Sequence, residues 1–478
     1  MNLSKRRAGV AAIGCIAGLS LVLAACGGDD DDSANGTAAA ENGDDADDTD
    51  TDPDEDDTDG ADDPGDCAAY EQYGDLSGTT VHVYTSIVAP EDLAHIESYK
   101  PFEECTGATI NYEGSGEFEA QLTVRVRGGN APDIAYFPQP GLLETVVQDT
   151  GSVQSLAGTL AEEYTDLHFA EEWKELGTVD GTFYASPIGA NVKSFVWYSP
   201  SMFADAGYEI PETWDEMLTL SDQIVADGNG KPWCAGIGSG DATGWPATDW
   251  MEDVMLRMHG PDVYDQWMNH DIPFNDPQVA EVLAAVGDIL KNDDYVNGGL
   301  GDVRSIAATE FQAGGLPILD GNCWMHRQAS FYQVNFTEAG ATVAPDGDVY
   351  AFYLPPMGDD FGNPVLGGGE FAAAFDDRPE VQAFQAFLAS PEWANLKAIE
   401  GNWISANTGL DLENVDTEIN RLSVEILQDP ETIFRFDASD LMPGEVGAGS
   451  FWTEMTNWIA NDKPDDEVLD AIESSWPQ

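Results

Sequence analysis

Across residues 79–137 the spacing of apolar positions switches between a period of two and a period near 3.6. Thr79-Thr80-Val81-His82-Val83-Tyr84 alternates and predicts a strand. Pro90-Glu91-Asp92 then opens a helix with acids in its first turn, Leu93, Ile96, Tyr99 and Phe102 form its apolar face, and Gly107 stops it. Ala108-Thr109-Ile110-Asn111-Tyr112 predicts a second strand, 117–127 a helix closed by Gly128-Gly129, and Asp133-Ile134-Ala135-Tyr136-Phe137 a third strand. This β-α-β-α-β order implies a parallel sheet with helices packed on it, and an α/β protein. Ligands of such sheets bind beyond the carboxyl ends of the strands, here Ser86 to Pro90, Glu113 to Phe118 and Phe137 to Gly141.

Farther on, Phe195-Val196-Trp197-Tyr198 predicts a buried strand. Thr213-Trp214-Asp215-Glu216 carries the spacing of a capping box that opens a helix to about Asp227. Buried strands are expected at 233–237 and 316–319. Helices are expected at about 249–258, 277–291, 303–311, 379–388, 391–399, 416–427, 451–460 and 465–474.

The two ends of the first 66 residues behave differently from the rest. Lys5, Arg6 and Arg7 precede an apolar run from Ala8 to Ala25, which reads as an export signal over residues 1–25. Leu23-Ala24-Ala25-Cys26-Gly27 has the form of a lipobox, so Cys26 is the expected lipidation site and the mature N-terminus. Residues 26–66 are nearly all acidic, small or polar, without an aromatic or branched aliphatic residue. A segment of this kind cannot bury enough apolar surface to offset its ordering entropy, and it is expected to be an acidic disordered tether. The remaining 412 or so residues are long for a single core and suit two lobes.

Charge narrows the partners. The chain holds 18 Lys plus Arg against 89 Asp plus Glu, a formal net charge of −71. Nucleic acid and an anionic membrane surface are poor partners for it. Four cysteines remain after Cys15 and Cys26: Cys67, Cys105, Cys234 and Cys323. An even number in an oxidising compartment suggests two disulfides, with three possible pairings. No CxxC or histidine-rich spacing supports a metal, and no cofactor is expected.

Several blocks now stand in a recognisable order. They are Gly128-Gly129-Asn130-Ala131-Pro132-Asp133-Ile134, Tyr184-Ala185-Ser186-Pro187-Ile188 with Trp197-Tyr198 after it, Ile210-Pro211-Glu212-Thr213-Trp214-Asp215-Glu216, Gly367-Gly368-Gly369-Glu370-Phe371 and Ser450-Phe451-Trp452. Together they resemble the extracellular solute-binding proteins of carbohydrate ABC importers, the maltose and α-glucoside binders among them, over essentially all of 79–478. The resemblance implies a two-lobed periplasmic-binding-protein-like fold with crossing hinge strands. Lobe 1 is then expected at 78–192 plus 367–402, and lobe 2 at 193–366 plus 403–478. It further implies a ligand held in the cleft, ABC importer permease subunits as partners, a lipid-anchored position on the outer face of the cell membrane, a monomer, and no catalysis. With those lobes, Cys67 and Cys105 flank the first strand and helix of lobe 1, while Cys234 and Cys323 end neighbouring strand candidates of lobe 2. The expected pairs are 67–105 and 234–323.

A sugar presents hydroxyls at its edges and C–H groups on its faces, so its site needs carboxylates and amides together with aromatic rings. The candidates for the faces are Trp452, Trp245, Trp324 and Trp403, with Trp250 behind them and Phe137 as an aromatic wall. For each ring the competing role is packing. The candidates for the edges are Asp241, Asp249, Glu370, Glu119 and Gln139. Asn191 joins them where the resemblance implies an acidic contact, with an amide in place of the carboxylate. Arg327 either pairs with a site acid or is structural. Tryptophans 245 and 250 and aspartates 241 and 249 are read as one glycine-flanked loop. The function expected is capture of an α-glucoside or malto-oligosaccharide. The alternatives are the same fold binding a polyamine, peptide or other solute, and a secreted glycoside hydrolase, which would need two carboxylates about 5–10 Å apart. No G-x-S-x-G, HExxH or P-loop motif is present.

Overall fold

The computed structural model describes residues 67–477 apart from 359–360, 402, 416 and 430. The expected lipidation site Cys26, signal segment and tether lie outside the described residues. Along the chain the strands are β1 (Thr80–Thr85), β2 (Thr109–Gly114), β3 (Ile134–Phe137), β4 (Thr178–Val179), β5 (Thr182–Phe183), β6 (Ala185–Pro187), β7 (Asn191–Val192) and β8 (Phe195–Tyr198). They continue with β9 (Lys231–Cys234), β10 (Val296–Asn297), β11 (Cys323–Arg327), β12 (Tyr350–Tyr353), β13 (Asn363–Gly368), β14 (Phe371–Ala374) and β15 (Thr432–Phe436).

Two five-stranded sheets form the two lobes. The first has the order β2-β1-β3-β14-β6, with β1 parallel to β2 and β3, and β14 antiparallel to β3 and β6. The second has the order β10-β9-β11-β8-β12, with β9 parallel to β10 and β11, and β8 antiparallel to β11 and β12. A small sheet, β15-β13-β7, gathers the segments in which the chain passes between the two: Gly367 and Gly368 pair with Val192 and Asn191, and β13 runs parallel to β15.

Alternation along the strands sorts the core of the first sheet into two layers. Val81, Val83, Ile134, Tyr136, Ala372 and Ala374 face the layer closed by Phe102, Phe384 and Phe387. Tyr84, Ala135, Phe137, Phe371 and Ala373 face the layer built on Phe118, Leu122 and Val146. The second sheet packs a larger core around Trp233, Trp250, Trp267 and Trp458. The capping box is present: the Thr213 side chain accepts from the Glu216 amide while the Glu216 carboxylate takes the Thr213 amide. Both expected disulfides are present, with Cα–Cα distances of 5.3 Å for Cys67–Cys105 and 5.6 Å for Cys234–Cys323.

Several expectations change. The helix expected from Pro90 to Gly107 is two helices, Asp92–Ser98 and Lys100–Thr106, and Leu93 and Ile96 of its expected apolar face are exposed. Leu316-Pro317-Ile318-Leu319 is a 3-10 turn over Leu316–Ile318 rather than a strand, because Pro317 has no N–H to give a ladder. The strand is Cys323–Arg327, whose His326 and Arg327 disguise it in the sequence. Both are buried there because His326 Nδ1 meets the Cys234 carbonyl at 3.0 Å and Arg327 meets two aspartates. The expected helix at 303–311 is a 3-10 helix over Val303–Ala308 followed by a short helix, Phe311–Gly314. The loop expected to carry Trp245 and Trp250 ends at Gly244, and both rings lie on the helix Trp245–Met258.

Candidate functional site

A cavity of about 360 Å³ lies between the lobes. Its first-lobe wall is built at the carboxyl ends of β1, β2 and β3, where parallel sheets present ligands. Ser86 and Ile87 follow β1, Glu119 sits in the first turn of the helix Phe118–Arg127 after β2, and Gln139 follows β3. Glu370, just before β14, and Lys397, on the helix Pro391–Ile399, complete that wall with Trp403. The opposite wall carries Trp245, Phe311, Phe331, Asp440 and Trp452, and the crossing strands contribute Asn191 and Lys193.

Gly189 explains how two of these groups come close. A Cβ there would collide with the Glu370 carboxylate and stand 2.8 Å from Trp403 Nε1, so only glycine lets the acid and the indole approach the crossing segment. At the mouth, the loop after β2 meets the loop after β9. The Asp241 amide donates to the Gly116 carbonyl at 3.1 Å, and Gly240, at φ +57°, leaves no room for a Cβ against that carbonyl.

The polar groups of the cavity are under-used within the protein. Glu119 Oε2, Gln139 Oε1 and Asn191 Oδ1 are buried acceptors without a hydrogen-bond partner among the described residues, and Trp403 Nε1 and Trp452 Nε1 are buried donors in the same condition. Buried polar atoms are rarely left this way, since each costs about 1–3 kcal/mol. Burial pushes the Glu119 carboxyl up to about 7 and the Glu370 carboxyl up to about 6. Burial, with Glu370 nearby, takes Glu91 to about 8, and burial brings the Lys397 ammonium down to about 8.

Behind the second-lobe wall lies a buried ionic network. Lys193 Nζ donates to Asp249 Oδ1 at 3.2 Å and to Asp437, with Asp440 at 3.7 Å. Arg327 donates through Nη1 to Asp249 Oδ2 at 3.0 Å and through Nε to Asp253 Oδ2 at 2.9 Å. Asp253 Oδ1 also accepts from Arg257 Nη1 and Ser194 Oγ, both at 2.6 Å. Glu252 accepts the amides of Ala438 and Ser439 at 3.0 and 3.1 Å. Burial opposes ionisation of Asp253, yet the two guanidiniums hold it below its usual range. Burial and then the Asp437 charge push Glu252 well above its own. The carboxylates of Asp249, Glu252 and Asp437 cluster closely enough to hold a cation, and the Lys193 ammonium already serves two of them.

The structure brings together Trp452, Trp245, Trp403, Glu370, Asn191, Gln139 and Glu119 around the cavity. It places the other candidates elsewhere. Trp324 packs edge-on against Tyr208 at 4.9 Å, and its Nε1 is spent on the Asn229 carbonyl at 2.8 Å. Phe137 faces the inner layer of the first sheet against Phe118. Asp249 is fully buried (0% exposed) because the i, i+4 spacing of Asp249, Asp253 and Arg257 turns them inward toward Lys193 and Arg327. Asp241 is exposed and reaches the other lobe through its backbone. Trp250 is core, edge-on to Trp233 at 5.4 Å, and Arg327 is structural. Lys193, Lys397, Glu91 and Asp440 were missed. The signal was available for the lysines: in a chain so poor in bases, each interrupts an apolar run, Lys193 between β7 and β8 and Lys397 four residues after the buried Trp393.

Comparison with known proteins agrees with this geometry. The osmoprotective compounds-binding protein GgtB of Synechocystis sp. is 41% identical over 386 residues, covering 80% of this chain and 89% of that protein. The alpha-glucosides-binding periplasmic protein AglE of Rhizobium meliloti is 36% identical over 412 residues, covering 84% and 88%. Among solved structures, the bacterial solute receptor AcbH superposes with a TM-score of 0.70 at 18% identity, covering 83% of this chain and 98% of that one, and so shares the two-lobed fold. The family model described as bacterial extracellular solute-binding protein matches residues 87–395, and this chain belongs to that family.

Proposed function

We propose that this protein captures a small α-glucoside outside the cell and delivers it to the permease of an ABC importer. One observation carries the reading: buried acceptors on Glu119, Gln139 and Asn191 and buried donors on Trp403 and Trp452, unpartnered among the described residues, converge on one aromatic-walled cavity. A hydroxyl both donates and accepts, so a polyhydroxy ligand satisfies both sets, while the indole faces take its C–H surfaces. One long relative supports the ligand class by name, as an alpha-glucosides binder, and the other is named for osmoprotective compounds. The volume of about 360 Å³ lies at the small end of ligand cavities, roughly 300–1,000 Å³, and favours a sugar of one or two rings over a long malto-oligosaccharide.

The contacts assigned to the ligand are Trp245, Trp452 and Trp403 for its faces and Glu119, Gln139, Asn191 and Glu370 for its edges. The cavity lining carries more acids than Lys193 and Lys397 balance, so a polyamine is the competing ligand that the test must include. A monomer tethered through a lipid on Cys26 completes the reading. The test is a thermal-shift screen with maltose, trehalose and sucrose beside spermidine and a short peptide. A ligand at 100 times its Kd adds about 2.7 kcal/mol of stability, which is easily seen. Stabilisation by a disaccharide is expected. Stabilisation by spermidine or peptide alone overturns the proposal.

A further inference from the structure

Two lysines reach the cavity, and their situations differ. Lys193 is saturated: Asp249, Asp437 and Asp440 surround its ammonium. Lys397 is 2% exposed, and among the described residues its Nζ makes one hydrogen bond, a long one of 3.5 Å to the Gly401 carbonyl. Its ammonium stands 5.5 Å over the Trp403 ring, and the charges that act on it are Glu370, then Glu91 and Glu400, all lining the cavity. An ammonium carries three donors, and burying it with most of them unused is costly. Beside it, Trp403 Nε1 is a second buried donor without a partner. Gly189 keeps the Glu370 carboxylate and that indole N–H together on one side of the crossing segment. The Glu370 carboxylate thus faces two donors across a small part of the cavity.

Building on the sugar-binding reading, we infer that Glu370, Lys397 and the Trp403 indole N–H form a subsite for two neighbouring hydroxyls of the sugar, with Lys397 as its specificity-determining residue. One hydroxyl donates to Glu370, while the oxygens of the pair accept from Lys397 and from the indole. The built-in ammonium occupies the place a ligand cation would take against Glu370 and Glu91. The subsite therefore selects an uncharged polyol over an amine of the same shape.

The test uses the full chain and whichever of maltose, trehalose or sucrose wild type binds by calorimetry. Wild type binding none of them is a failure of the sugar reading itself. With wild-type binding in hand, Lys397→Met, which keeps the stem and removes the charge, is expected to weaken binding tenfold or more, the scale of a hydrogen bond to a charged group. Trp403→Phe, which keeps an aromatic ring but loses the N–H and part of the indole's bulk, is expected to weaken binding severalfold per folded molecule, with a lowered ligand-free melting curve recorded alongside because the ring packs on Trp393. Lys397→Ala is expected to regain part of its lost affinity in methylammonium chloride and none in sodium chloride at equal ionic strength. A purely structural lysine would not show that ion-specific rescue. Binding by Lys397→Met and Trp403→Phe within twofold of wild type overturns the inference, as does rescue by sodium chloride equal to that by methylammonium.

Discussion

Replacing Trp452 by alanine separates two jobs that one side chain performs. The ring opens the helix Trp452–Ala460, directly after a π turn at Val446–Phe451, and is only 2% exposed although it lines the cavity. Stacking a sugar on such a face is worth about 1–3 kcal/mol, by analogy with burying a large side chain. Since 1.4 kcal/mol is about a factor of ten, Kd should rise by one order of magnitude and up to two. Stability should fall as well. Emptying a tryptophan site in a closed core costs about 3–5 kcal/mol, and the loss here should be smaller, about 2–3, because one side of the ring borders the cavity. The expectation of a nearly unaffected fold that an open cleft would give does not suit a ring this buried. The assay is calorimetric titration at a temperature where the variant is folded, with its melting curve recorded alongside. Trp452→Phe, which retains an aromatic ring but loses the Nε1–H and part of the indole's area, should fall between wild type and Trp452→Ala. A Trp452→Ala protein that melts early but binds the sugar within twofold of wild type per folded molecule would refute the stacking argument.

Three further outcomes follow from the same structure. Glu119 is raised by burial from 4.5 to about 7, so its neutral form is favoured in the fold, and its contribution to stability is complete below about pH 4.5 and lost as pH rises through about 7; Glu119→Gln should therefore gain on wild type in chemical denaturation between pH 5 and pH 8, and an unchanged difference would reject the assignment. Asp253→Ala strands the buried guanidiniums of Arg257 and Arg327 and should cost about 3–5 kcal/mol in urea unfolding, whereas a loss below about 1 kcal/mol would place the pair with surface bridges. Cys26→Ser should release the protein from membranes or block its processing, and membrane retention with an unchanged mature mass would argue against lipidation there.

Much of the fold was legible because local patterns and tertiary packing agree. The β-α-β-α-β opening and the Thr213 capping box follow from periodicity and turn chemistry, while the two disulfide pairs needed the lobes implied by the family resemblance, since four cysteines alone leave three pairings open. The strand Cys323–Arg327 was not legible, because its polarity is met only in three dimensions, His326 by the Cys234 carbonyl and Arg327 by Asp249 and Asp253 from a helix some seventy residues earlier. The candidate site divided on the same line. Glu119, Gln139 and Glu370 flank strands of the first sheet, and topology alone puts strand ends at a cleft. Asp249 looked like one more available acid, and only the three-dimensional pairing with Lys193 and Arg327 removes it from the ligand's reach. Trp324 failed for a related reason: tryptophan enrichment says nothing about which side of a sheet a ring occupies.

The contact between Gly116 and Asp241 has a consequence for how the receptor responds to its medium. Both lobes hold far more acids than bases, so bringing them together works against like-charge repulsion. The clasp at the mouth is made by an amide and a carbonyl, which carry no net charge. Dissolved salt therefore weakens what pushes the lobes apart and leaves this contact nearly untouched, with repulsion beyond about 8 Å largely screened at 0.15 M. A receptor closed by an ion pair would loosen its grip as salinity rises. This one is wired the other way, and dilution, not brine, is what should shorten the time a captured solute stays inside.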